Sequence, residues 1–462
     1  MNRLSQKAMR AWIGLGSRFL PFADAATPDL PLSRLLRLSL FQVSVGMALV
    51  LLIGTLNRVM IVELNVPASL VGVMISLPLI FAPFRAVIGY RSDMHKSALG
   101  WKRVPFMYRG TMVQFGGLAM MPFALLVLAR QGNADQAPLW LGYSGAAIAF
   151  LLVGAGLHTI QTVGLALATD YATVETQPKV VGLMYVMLMV GMIASSFLFG
   201  ALLADFTPAR LVQVIQGAAL ATIVLNLIAL WKQESRGRSV KAAPQKREPS
   251  FAESWESFAQ GGQVVRRLMA VGFGTMAFSM EDVLLEPYGG QVLRLAVGDT
   301  TKLTAALAIG GLLGFALASR VLSRGFDPFR MASFGVLLGI PAFLAVILAA
   351  SGNSAWLFGA GTLFIGFGAG LFGHGTLTAT MNLAPKDQTG LALGAWGAVQ
   401  ASGAGLAIAL GGVLHDTIAA IAPSTTFGAA LAYDFVYALE ILLLITTLIL
   451  MIPLIRRNAA YA

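Results

Sequence analysis

The stretch FSMEDVLLEPYGGQ, residues 278 to 291, sets three carboxylates, Glu281, Asp282 and Glu286, among Phe, Met, Val and Leu. Acids in an apolar run can carry protons, hold a cation or pair with a base. Near the centre of a bilayer a charged carboxylate costs about 2.5 to 3.5 kcal/mol on insertion scales, so at that depth it turns inward and is paired, protonated or functional. Asp282 and Glu286 are four residues apart and share one face of a helix. Pro287 with Gly289 and Gly290 then predicts a kinked or broken end to that helix. Two histidines, His158 and His374, also fall in apolar runs. An imidazole is a good axial donor to a metal in a macrocycle, and equally a hydrogen-bonded packing residue.

Those residues need a scaffold, and composition says which kind. Of 462 residues, 57% are hydrophobic and 11% charged, against about 25% charged in soluble globular chains. Apolar runs long enough to span a bilayer recur from end to end. The expected fold is an all-α polytopic membrane protein, with twelve transmembrane helices at 36–62, 67–88, 104–129, 139–168, 180–203, 210–231, 265–292, 302–322, 329–350, 354–383, 389–413 and 433–455. With a cytoplasmic N-terminus, only Arg58, Arg130, Arg210, Arg294 and Lys302 of the 32 Lys and Arg residues lie outside. The positive-inside rule then puts both termini in the cytoplasm. It also accounts for the net charge of +11 without a polyanion, so nucleic acid is not an expected partner. Cysteine is absent, which excludes disulfides, thiolate metal sites and cysteine catalysis. Gly14, Ser17 and Arg18 interrupt the N-terminal apolar stretch, so no cleavable signal peptide is expected.

The chain divides into a cytoplasmic amphipathic segment (1–34), a six-helix bundle (35–231), a cytoplasmic linker (232–263) and a second six-helix bundle (264–462). Within residues 3 to 20, Leu4, Ala8, Trp12, Leu15 and Phe19 form one stripe opposite Arg3, Lys7, Arg10 and Arg18, an interfacial helix pattern. In the linker, Ser250 and Glu253 have capping-box spacing, and Phe251, Trp255 and Phe258 follow at helical steps. The two bundles are related by a repeat: GAGL at 154–157 returns at 368–371, and GALLAD at 200–205 matches GGVLHD at 411–416. Two parallel six-helix bundles joined by a cytoplasmic linker form the arrangement of the major facilitator superfamily. Setting Arg37 on Arg267 places Asn57 and Arg58 beside Glu286 and Pro287. A pair between Arg58 and Glu286 or Asp282 is therefore expected across the bundle interface, either as a fixed latch or as a moving gate or proton site.

The loop after the second span carries Gly89 and Asp93 in the superfamily's Gly-x-x-x-Asp pattern, followed by Gly100, Lys102 and Arg103, with the second glycine four residues late. An acid at a helix start and basic anchors beside it make physical sense there. GAGLFG at 368–373 satisfies Gly-x-Gly-x-x-Gly but lies inside a span and follows no strand, so it serves helix packing. There is no phosphate-cradling loop and no HExxH; neither a metal site nor a catalytic residue is expected, and the chain does not read as an enzyme.

SLFQVSVGMA (39–48), GTLNRVMIVEL (54–64), PLIFAPFRAVIGYRSD (78–93), GWKRVPF (100–106) and above all FSMEDVLLEPYGGQVL (278–293) resemble the PucC/LhaA family, the bacteriochlorophyll delivery branch of the major facilitator superfamily in phototrophic bacteria. The resemblance implies a non-catalytic assembly factor for light-harvesting complexes in the inner, intracytoplasmic photosynthetic membrane. Such a factor assists insertion of antenna polypeptides and delivers or guards bacteriochlorophyll as a carried pigment. Implied partners are the antenna polypeptides, the reaction-centre core complex, pigment-synthesis enzymes and membrane lipids. A chlorin needs a wide apolar groove, for which Phe115, Phe123, Trp396 and the glycine-rich spans 10 and 11 are the candidates. Two other functions stay open: a proton-coupled secondary transporter of a small solute, with Glu281 or Asp282 cycling protons, and a pigment-free membrane scaffold.

Overall fold

The computed structural model describes residues 31–81, 85, 88, 91–92, 95, 101–130, 134, 136–172, 177–234, 263–383, 389–421 and 426–455. The amphipathic segment 3–20, the linker after 234 with its surface helix, and the loop residues Gly89, Asp93 and Gly100 lie outside the described residues.

In hydrocarbon every backbone polar group must be satisfied within its own segment, so apolar runs of this length fold as helices. They are α1 (Leu32–Glu63), α2 (Ala68–Leu79), α3 (Val104–Leu128), α4 (Leu139–Asp170), α5 (Gln177–Leu202), α6 (Pro208–Leu230), α7 (Val264–Gln291), α8 (Val297–Leu322), α9 (Pro328–Ser351), α10 (Ala355–Leu383), α11 (Thr389–Ile421) and α12 (Thr426–Met451). Residues 85, 88, 91 and 92, beyond α2, are also helical. Among the described residues the chain is all-α, with these twelve helices, eleven of them long and apolar enough to cross a membrane and α2 shorter.

Helix ends differ from the hydropathy reading where polar residues belong to the helix. α8 starts at Val297, not 302, because Asp299 sits in its first turn and pairs with Lys302 at 2.8 Å; an acid is favourable at a helix N-terminus. α11 runs past 413 to Ile421, carrying His415 and Asp416 in its last turns, and α12 starts at Thr426 rather than 433. At α6 and α9 the same device fixes the start: Thr207 accepts from the Arg210 N–H and Asp327 from the Arg330 N–H, each just before a proline at the first helical position.

Helices α1 to α6 pack on one another, and so do α7 to α12; the two lobes meet where α2 crosses α11, where α5 crosses α8, and at the ends of α1 and α7. Residues 31, 234, 263 and 455 all belong to one end of the bundle, here the terminal side; the opposite end is the distal side. The cross-lobe hydrogen bonds lie at or toward the distal side: Asn57 to Asp282, Arg58 to Leu295, and Ala68 and Ser69 to Asp416.

Candidate functional site at the broken seventh helix

α7 is built in three pieces. A regular helix, Val264–Ala277, gives way to a 3-10 turn, Met280–Val283, which carries Glu281 and Asp282; a last helical segment, Leu285–Gln291, carries Glu286 in its first turn. Pro287 explains the break. It has no N–H for the carbonyl of Val283, and its ring crowds that carbonyl, so the preceding turn is displaced. The chain remains helical through Gly289 and Gly290, where the sequence pointed to the break. Asp282 and Glu286 consequently do not sit on one continuous helix. Glu281 is 1% exposed and Glu286 3%, while Asp282 is partly exposed.

The expected ion pair is not formed. Arg58 donates to Glu63 on its own helix and to the Leu295 carbonyl at 3.1 Å. The cause is local: Val50–Leu56 and Val59–Glu63 are π-helical, and the i to i+5 bonding of that helix stacks residues five apart. Arg58 and Glu63 are five apart, a spacing that points away in an ordinary α-helix. Asn57 reaches α7, but its Nδ2 donates to the Asp282 main-chain carbonyl at 2.9 Å and leaves the carboxylate alone. Glu286 instead accepts from the Thr304 hydroxyl on α8.

Two glycines let these side chains fit. A Cβ on Gly54 of α1 would lie 2.5 Å from Glu286 Oε1, and a Cβ on Gly290 of α7 would lie 3.0 to 3.1 Å from the Arg58 guanidinium. Each lobe leaves a gap for the charged side chain of the other.

A fourth acid joins this region. Glu440 on α12 is 0% exposed, and neither of its oxygens has a protein partner; the same holds for one oxygen each of Glu281 and Glu286 and for the Tyr437 hydroxyl. Around them Tyr288 packs edge-on against Tyr433 and Tyr437 at 5.3 and 5.6 Å, Tyr433 donates to Gln291 at 2.8 Å, and Tyr288 donates to the Val346 carbonyl at 3.0 Å. Glu440 was missed because averaging over LEILLL hides a single acid. The rule that any ionisable residue inside a span is a site candidate would have found it.

His158 on α4 and His374 on α10 belong to different lobes. Both keep Nδ1 buried without a protein partner, and His374 packs on Phe315 with ring centroids 4.2 Å apart. At the terminal side the main-chain N–H groups of Lys102 and Arg103 donate to the Glu234 carboxylate, and the Arg103 side chain donates to Asp170 at 3.0 Å and Ser92 at 2.6 Å. These basic residues anchor a helix start. Of the groove candidates, Phe123 is 70% exposed, while Trp396 donates to Thr376 at 3.3 Å. Two cavities, of about 240 and 290 Å³, adjoin Glu63 and Leu64 at the distal side, and neither includes His158 or His374. Among the described residues no three His, Asp or Glu side chains are grouped as a metal site.

Twelve helices in two lobes, crossing as α2 on α11 and α5 on α8, make this a membrane protein of the major facilitator fold. It superposes on a D-xylose-proton symporter with a TM-score of 0.71 at 12% identity, covering 92% of this chain and 98% of that one. A bacterial homologue of the human lysosomal transporter Spinster, inward-facing and unoccupied, gives 0.68 at 15% identity, covering 91% and 95%. Within that fold the chain belongs to the PUCC protein family, which it matches over residues 55–459. It is 63% identical over 421 residues to Protein PucC of Rhodovulum sulfidophilum, covering 90% of this chain and 92% of the relative. To Protein PucC of Cereibacter sphaeroides it is 58% identical over 460 residues, covering 100% and 99%. A Rhodobacter capsulatus protein named Bacteriochlorophyll synthase 44.5 kDa chain is 27% identical over 418 residues, covering 89% and 93%.

Proposed function

We propose that this chain is a non-catalytic assembly factor of the photosynthetic membrane, helping antenna polypeptides insert and holding or handing on bacteriochlorophyll. The observation that carries this reading is the family match over residues 55–459, joined by a relative named for bacteriochlorophyll synthase. In this reading both termini face the cytoplasm, in keeping with the distribution of Lys and Arg, and the partners are antenna polypeptides, the reaction-centre core, pigment-synthesis enzymes and lipid.

Bacteriochlorophyll, when bound, supplies a magnesium that takes a nitrogen ligand from the protein. His158 and His374 each keep a buried Nδ1 without a protein partner, which is the right donor chemistry. The two distal cavities include neither residue, and in this reading pigment is met on a face uncovered when the lobes part. The bonds of Asn57 and Arg58 to the main-chain carbonyls of Asp282 and Leu295 hold the distal ends of the lobes together meanwhile.

The test is gentle extraction of the full chain from its native membrane, followed by an absorbance spectrum and identification of the polypeptides that come with it. Pigment absorbance together with antenna subunits is the expected result. Antenna subunits without pigment would leave only a scaffold. A second reading, a proton-coupled transporter, is favoured by the buried acids Glu281, Glu286 and Glu440. Solute uptake driven by a pH gradient in proteoliposomes, abolished by Glu281→Gln, would replace the first reading with the second.

A further inference from the structure

The N-terminal lobe holds a base that no acid among the described residues matches. Arg85, on the helical continuation of α2, donates through Nε to the Thr162 hydroxyl at 2.9 Å and through Nη2 to Gln161 Oε1 at 3.0 Å, both on α4. No carboxylate among the described residues pairs with it. His158, one turn before Gln161, and Tyr185 on α5 lie within electrostatic reach of the guanidinium.

The packing of α2 on α4 fixes this placement. The ring of Pro78 fills the space a side chain on Gly154 would occupy. Arg85, seven residues after Pro78, meets Gln161, seven residues after Gly154. The equal spacing means that the two segments run in the same direction, with the proline and the arginine both facing α4.

An amide and a hydroxyl solvate a guanidinium but do not neutralise it, and an unpaired charge inside a span is costly. The planar fork of arginine matches a carboxylate or phosphate through two parallel bonds. The other lobe offers nothing similar: the repeat register that sets Arg37 on Arg267 sets Arg85 on Phe315, and Phe315 covers His374. One lobe thus carries a cation beside its histidine and the other an aromatic ring.

We infer that Arg85, supported by Gln161 and Thr162 and flanked by His158 and Tyr185, is a binding site for an anionic head, a carboxylate or a phosphate. The inference does not depend on the assembly role. Its test uses the full chain in phosphatidylcholine nanodiscs, with the thermal unfolding midpoint followed as inorganic phosphate, laurate or phosphatidylglycerol is added. A ligand of the folded state raises the midpoint in proportion to its occupancy. At least one of the three is expected to do so, and Arg85→Gln is expected to weaken that response by about tenfold or more, the usual weight of a charge-assisted bond. A response to phosphatidylglycerol assigns the site to a lipid headgroup; a response to phosphate or laurate assigns it to a free anion. No response to any of the three, or an equal response in Arg85→Gln, overturns the site. Should Arg85→Gln not yield folded protein by size-exclusion chromatography, Arg85→Lys decides: the charge stays and the fork is lost, so a weaker response is expected and an unchanged one overturns the site.

Discussion

The two seams that join the lobes descend from one repeat and are built differently. Where α2 crosses α11, the Asp416 carboxylate accepts from the N–H groups of Ala68 at 3.2 Å and Ser69 at 2.8 Å, the first residues of α2. A side chain of one lobe caps a helix of the other, where orphan donors and the positive end of the dipole favour an anion. Where α5 crosses α8, the contact is glycine on glycine: a Cβ on Gly200 would lie 2.8 Å from the Gly298 carbonyl, and a Cβ on Gly298 would strike the Gly200 carbonyl. Asp205, which the repeat aligns with Asp416, turns to Arg210 of its own lobe at 3.1 Å. The first seam has glycine packing of the same kind, with a Cβ on Gly412 lying 2.3 Å from the Ala68 carbonyl and one on Gly72 2.8 Å from the Ile408 carbonyl, and adds the Asp416 cap to it. The second has the glycine contact without a cap across the lobes.

The comparison breaks most visibly where α5 crosses α8. Gly298→Val sets a branched side chain against a main-chain carbonyl that cannot swing aside, and overpacking of this kind costs about 1 to 3 kcal/mol or more. A large drop in thermal midpoint, or loss of monodisperse protein, is expected; a midpoint near that of the unaltered chain would show that the seam is soft. Asp416→Ala removes a cap and should cost about 0.5 to 2 kcal/mol, with faster hydrogen exchange at the Ala68 and Ser69 amides. Asp416→Asn keeps an acceptor oxygen and should lie between. Gly290→Ala tests a third contact, since its methyl would meet the Arg58 guanidinium at 3.0 Å. A side-chain end can yield where a backbone cannot, and alanine gains up to about 1 kcal/mol of helix propensity over glycine, so the midpoint should move little in either direction.

The scaffold was legible because hydrocarbon leaves the backbone few choices: twelve apolar runs became twelve helices, and GALLAD against GGVLHD marked the repeat. The acids of α7 were legible too, since carboxylates amid Leu and Val have no other reading than a site. Their partners were not. The match of Arg58 to Glu286 rests on the repeat register, which reports height along the helix and not side-chain direction, and a π-helical stretch turns Arg58 onto Glu63. Asp282 and Glu286 were stacked on one face across a turn that Pro287 had displaced. Arg85 was hidden inside a motif quoted only for its likeness to a family, and its exposure to α4 depends on a proline fitting over Gly154, which no periodicity reports. Hydropathy ends the eleventh span at 413, before His415 and Asp416, whereas the Asp416 charge is what ties α11 to α2.

The smallest expected effect is the sharpest check on the contrast between the seams. Asp205 and Arg210 make an ion pair at 3.1 Å, between the two cap bonds of Asp416 in length, but the Asp205 side chain is 89% exposed. In water the attraction is screened and holding two side chains together costs entropy, so such pairs contribute between nothing and about 1 kcal/mol. Asp205→Ala should therefore leave the thermal midpoint almost unchanged, in 20 mM salt as in about 1 M, where the Debye length falls to roughly 3 Å. Asp416→Ala should lower the midpoint at both salt concentrations, because its bonds are to main-chain donors in a partly buried seam. If the two substitutions proved equal in size, position in the repeat rather than burial and partner would govern the strength of the seam, and the cap that sets the first seam apart would add nothing to it.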